Sequence, residues 1–167
     1  IPAFNGGVDG QIRKTFIFGE QVYVIGNFQN YKRMYIPNST YDDKVFDYTK
    51  MLQLVRMNIN DGAMDSTFHF NEATNSSPLA GNGFISDAIM QTDGKLVLVG
   101  SFTTFNGVQV NRIVRLNLDG SVDLTFKSGT GADGDVSSIR YNATTQKIVL
   151  SGSFNNFNGK SASGIAL

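Results

Sequence analysis

The chain has 167 residues, with 14 basic and 14 acidic side chains, 18 glycines and no cysteine. Balanced charge argues against nucleic acid or an anionic membrane surface as a partner. The missing cysteines exclude a disulfide framework and any cysteine-based metal centre, and no apolar run approaches the roughly 20 residues of a helical membrane span.

The chain opens on Ile1 rather than Met, which points to processing or to a longer parent sequence. Residues 11–18 and 21–28 read as two strands with Gly19-Glu20 between them. Residues 32–50 then interrupt the pattern with Tyr35, Tyr41, Phe46 and Tyr48 among polar neighbours. Residues 52–59 resume it as a third strand, followed by the Asp61-Gly62 turn and Asp65-Ser-Thr-Phe68.

The second unit has the same order without the interruption. Residues 84–91 and 95–103 form its first two strands across the turn Thr92-Asp93-Gly94. The run Leu96-Val97-Leu98-Val99 does not alternate, so burial on both faces is expected. A loop at 104–109 precedes a third strand at 110–117, and Asp119-Gly120 leads into a short fourth strand ending at Asp123-Leu-Thr-Phe126. The third unit offers strands at 136–141, 147–154 and 163–167.

Repetition is the strongest signal. Gly100-Ser-Phe-Thr-Thr-Phe-Asn-Gly107 recurs as Gly152-Ser-Phe-Asn-Asn-Phe-Asn-Gly159, and its first half as Gly26-Asn-Phe-Gln-Asn-Tyr31. No segment shows sustained helical periodicity. Four antiparallel strands per roughly 50 residues, in tandem, predict an all-β fold of β-propeller blades. About three blades are expected, at 5–68, 69–126 and a truncated 127–167, within a single propeller-like domain. That is fewer than a closed ring holds, so the reading is an incomplete ring, completed by further blades of the same gene or by a second copy. Ile1-Pro-Ala-Phe4 aligns with the tail of a preceding repeat.

The pattern Asp93-Gly94-Lys95, an apolar run, Gly100-Ser-Phe102, then Arg112-Ile-Val-Arg-Leu-Asn117 and Asp119-Gly-Ser-Val-Asp-Leu-Thr-Phe126 resembles the delta-60 repeat of bacterial propeller proteins. The first unit departs through its insertion and lacks Asp-Gly-Lys; the third has Thr145-Gln146-Lys147 there. The resemblance implies a propeller and an exported or cell-surface bacterial protein, with no defined activity.

Candidate chemistry is sparse. His69 is the sole histidine, no Gly-x-Ser-x-Gly elbow exists, and Gly129-Thr-Gly131-Ala-Asp-Gly134 lacks the lysine and helix of a phosphate loop. The Asp-Gly turns at 58–65 and 117–123 lack full calcium-loop spacing. Recurring Arg56 and Arg115, with Asp65 and Asp123, read as ties between strands, Asp bonding the threonine two residues on. No catalytic residue, metal ligand or cofactor is expected. The candidate ligand-binding residues are Tyr35, Tyr41, Phe46 and Tyr48 of the insertion, since aromatic faces beside polar groups suit a glycan or a protein partner. The primary reading is a non-catalytic binding module. A carbohydrate-active propeller completed by other blades and a structural spacer are the alternatives.

Overall fold

The computed structural model describes residues 5–167, so the repeat tail expected at Ile1-Pro-Ala-Phe4 lies outside the described residues. The chain divides into two compact units, residues 1–78 and 79–167. Both are built from antiparallel strands, and no α-helix occurs among the described residues.

In the first unit the strands are β1 (Gly7–Val8), β2 (Gln11–Phe18), β3 (Gln21–Asn27), β4 (Asn30–Met34), β5 (Phe46–Lys50) and β6 (Leu54–Asn58). A single 3-10 turn, Ile36–Asn38, interrupts the β4–β5 connection. One sheet has the order β2-β3-β6 and is the blade; the other has the order β1-β4-β5. Val24, Phe28, Tyr31, Met51, Val55 and Met57 form the core beneath them.

The second unit contains β7 (Ile85–Met90), β8 (Leu96–Gly100), β9 (Thr104–Phe105), β10 (Val108–Gln109) and β11 (Ile113–Leu116). After these come β12 (Val136–Asn142), β13 (Lys147–Gly152), β14 (Asn156–Phe157), β15 (Lys160–Ser161) and β16 (Ile165–Ala166). Two blade sheets, β7-β8-β11 and β12-β13-β16, each carry a small hairpin, β9–β10 and β14–β15. The blades pack face to face: Val97, Val99 and Ile113 of one meet Val136, Ile139, Leu150 and Phe154 of the other. Leu96 and Leu98 are also fully buried, as the non-alternating run requires. Across β13 burial alternates instead, and Val149 points to solvent.

The fourth strand of the first two blades is reduced to one bridge pair, Met57 with Met64 and Leu116 with Val122. The cause is local. The Asp carboxylates of Asp65-Ser-Thr-Phe68 and Asp123-Leu-Thr-Phe126 accept bonds from the backbone amides two residues on, bending the chain into a turn before a ladder can extend.

The repeated glycine ends the second strand for a steric reason. A Cβ at Gly26, Gly100 or Gly152 would overlap the carbonyl oxygen of Gln11, Phe84 or Asp135, respectively. The first strand shifts register beside each glycine, between Ile12 and Lys14, Ile85 and Asp87, and Val136 and Ser138. This is a bulge that only a glycine neighbour accommodates.

Candidate functional site

The residues expected to form a loop at 104–109 instead make the β9–β10 hairpin, turned by Asn106 (φ 48°) and Gly107 (φ 77°). Positive φ at both central positions is the tight turn that matches strand twist, and Asn-Gly is its preferred sequence. Asn158 and Gly159 repeat it between β14 and β15. In the first unit β4 and β5 occupy this place, so the insertion is an enlargement of a hairpin that every blade carries. Its first strand, β4, is paired on both sides. Even-numbered residues of β4 bond toward β1, as when Asp9 N–H donates to Asn30 C=O at 3.1 Å, and odd-numbered ones bond toward β5. Asn5 continues the β1 side by bonding both backbone groups of Met34, each at 3.0 Å.

The two faces of the hairpin differ. Tyr31 is buried, its hydroxyl donating to Gly62 C=O at 2.8 Å, and Arg33 reaches Asp61 at 3.4 Å. Burial pushes the Tyr31 phenol above its ordinary pKa, with the Arg33 charge opposing. The other face presents Phe46 and Tyr48, ring centroids 6.5 Å apart, with the Lys32 ammonium 5.4 Å from the Phe46 ring. Tyr35, Tyr41, Phe46 and Tyr48 are 42, 92, 37 and 59% exposed. The structure brings Phe46 and Tyr48 together; Tyr41 sits at the tip under the Lys44 ammonium, 5.4 Å from its ring, with Lys44 bonded to Tyr41 C=O at 2.6 Å. At the tip, Ser39 Oγ bonds to Tyr35 C=O at 2.9 Å, and Val45 N–H to Ser39 Oγ at 3.0 Å.

Residues 91–126 match the family model described as "Domain of unknown function (DUF5122) beta-propeller". The match covers the second blade from its first hairpin turn to Phe126, and supports a β-propeller repeat. No curated protein and no solved structure matches the chain.

Within that repeat the recurring charges act on the scaffold. Arg115 Nε and Lys95 Nζ lie 2.8 and 2.7 Å from Asp123 Oδ2, while Asp123 Oδ1 accepts from Thr125 N and Oγ1 at 2.9 and 2.6 Å. The Lys95 bond, then Thr125, hold this carboxyl far below its ordinary pKa, against the opposing effect of burial. In the first blade Arg56 Nε meets Asp65 Oδ2 at 2.8 Å and Thr67 bonds Asp65 Oδ1. Each guanidinium also covers the ring of its turn, Arg56 over Phe68 at 4.6 Å and Arg115 over Phe126 at 4.8 Å. The turn carboxylates Asp61 and Asp119 accept from the amides of Ala63 and Ser121, each at 2.9 Å. On the first strand of the second blade, Asp87 ties neighbouring blades by accepting from Ser138, Ile139 and Arg140 of β12. His69, the sole histidine, lies in a bend at φ 50° and is 1% exposed, beside the Phe68 ring.

A recurrent clamp went unread in the sequence. Asp9, Asn82 and Asp133 each accept two backbone amides of the chain entering the hairpin: Gln29 and Asn30, Thr103 and Thr104, Asn155 and Asn156. The signal was present as Asp-Gly, Asn-Gly and Asp-Gly ahead of each first strand, at Gly10, Gly83 and Gly134.

Proposed function

We propose that the protein is a non-catalytic propeller module that binds a protein or glycan partner through the β4–β5 hairpin. One observation carries the reading. The single segment that departs from the repeat is an ordered hairpin whose aromatic side chains face solvent, with Phe46 and Tyr48 adjacent and flanked by Lys32. Loops raised on a rigid scaffold are where binding concentrates, and aromatic surface beside a cation suits a sugar ring or a protein side chain. The carboxylates that recur with the repeat are taken up in turns and ion pairs, which favours a scaffold over an acid–base site.

The delta-60 resemblance extends the reading to an exported or cell-surface bacterial protein. Further blades, from the same gene or a second copy, are proposed to cover the apolar side chains Val149 and Ile165, which are exposed on the last sheet. The test is a glycan array with a parallel pull-down, comparing the unaltered protein with a Tyr35→Ala/Tyr48→Ala double variant of unchanged circular dichroism. Loss of a bound glycan or protein in the variant supports the hairpin as the site; equal binding by both refutes it.

A further inference from the structure

We infer that the outer edge of β5 binds an extended peptide by strand addition, parallel to β5, with Phe46 and Tyr48 receiving its side chains. The inference rests on the reading of the hairpin as the binding site and names the partner class.

Tyr35 N–H donates to Val45 C=O at 2.8 Å and Met51 N–H to Gln29 C=O at 2.9 Å, so residues 45, 47, 49 and 51 turn their main-chain groups toward β4. Phe46, Tyr48 and Lys50 therefore turn theirs to the opposite edge. The chain already uses that edge once. Ser76 pairs with Lys50 in parallel, and Ser77 N–H donates to Lys50 C=O at 2.8 Å. The track stops there because Asn75, at φ 47°, carries the chain into a turn closed on Asn71. Among the described residues, β5 pairs along Phe46 and Tyr48 with β4 alone, and both residues are exposed.

An edge of this kind is a template for another strand, and peptide recognition by strand addition uses it. A parallel segment continuing the line of Ser76 would place one residue opposite Asp47. Its N–H would donate to Phe46 C=O and its C=O would accept from Tyr48 N–H, the geometry that Ser77 shows at Lys50. Its flanking side chains would then lie over the Phe46 and Tyr48 rings. The Lys32 ammonium lies 5.4 Å from the Phe46 ring, at the N-terminal end of β5, so an acidic residue on the peptide's N-terminal flank complements the site. The partner class is an extended peptide with alternating apolar residues and an acidic N-terminal flank.

The test titrates the 15N-labelled full chain with the capped peptide acetyl-Glu-Thr-Val-Thr-Val-Thr-amide, following amide shifts. Expected are saturable shifts at the Phe46 and Tyr48 amides. The same peptide with proline at its central threonine, which lacks the donating N–H, should bind roughly tenfold more weakly. Tyr48→Pro, which removes the N–H that would donate to the peptide at a position not bonded to β4, should do likewise. Should that variant misfold, the proline peptide on the unaltered chain decides alone. Equal binding of both peptides overturns strand addition. Absence of any shift overturns it too, even where the Tyr35/Tyr48 variant has lost its partner on the array, in which case the hairpin reading stands without it. A concentration-dependent dimer that broadens Phe46 and Tyr48 in the absence of peptide also overturns it, since a second copy would then hold the edge.

Discussion

Arg115 Nε donates to Asp123 Oδ2 at 2.8 Å, and one blade earlier Arg56 Nε donates to Asp65 Oδ2 at the same distance. The surroundings differ. Lys95 adds a second cation to Asp123, where the first blade has Gln21, and the Asp123 side chain is the more buried of the two. Removing Asp123 strands two part-buried cations, so Asp123→Ala should cost about 2–3 kcal/mol, between the exposed and fully buried limits. Asp65→Ala should cost clearly less. Urea unfolding followed by circular dichroism gives both values, and an inverted order would refute the account.

Acid should destabilise the fold. Asp123 is held below the ordinary carboxyl value of 3.8 by Lys95 first and then Thr125, and Asp119 by Ser121. For Asp65 burial is the largest influence and acts upward, but Thr67 and Arg56 together outweigh it and lower the pKa. With folded values below unfolded ones, the unfolded chain takes up protons first. This stabilisation is complete above the unfolded pKa and is lost as pH falls through the folded ones. The unfolding midpoint should therefore begin to drop below about pH 5. In Asp123→Asn the slope should be shallower, and thermal melts across an acid series would show it.

Two glycines of one motif should respond unequally to alanine. At Gly100 the new Cβ meets the Phe84 carbonyl, backbone that cannot move without breaking the sheet. At Gly107 it meets open space, and only the left-handed φ of 77° is strained. Gly100→Ala should cost about 3 kcal/mol or more, at the upper end of overpacking. For Gly107→Ala the expected cost is about 1–2 kcal/mol. Comparable losses in denaturant midpoint would contradict the bulge geometry.

The clamp at Asn82 should tolerate exchange with its counterparts. Its Oδ1 accepts from Thr103 N at 2.8 Å and Thr104 N at 3.0 Å, the role that Asp9 and Asp133 perform with a carboxylate. Asn82→Ala leaves both amides unpaired and should cost about 1–2 kcal/mol. Asn82→Asp should stay within about 0.5 kcal/mol of the parent. Hydrogen exchange at the Thr103 and Thr104 amides reports the same distinction locally.

The repeat, the first three strands of each blade and the buried character of Leu96 to Val99 were legible in the residues themselves, because alternation and tight-turn chemistry are local; the small hairpins and the reduced fourth strand were not. So was the meaning of Asp65 and Asp123, whose bonds reach Thr67 and Thr125 two residues away. The clamp from Asp9 to Asn30 spans 21 residues, and no local pattern announces a contact that depends on how two strands align. Residues 32–50 show the same division most clearly. Their composition marked Tyr35, Tyr41, Phe46 and Tyr48 as a departure from the repeat. Only the pairing of β4 between β1 and β5 made the segment a hairpin, set Phe46 beside Tyr48 and turned the main-chain groups of both away from β4, to the outer edge of the sheet. Strand register sets which side chains and amides face outward, and register is decided by partners distant in sequence.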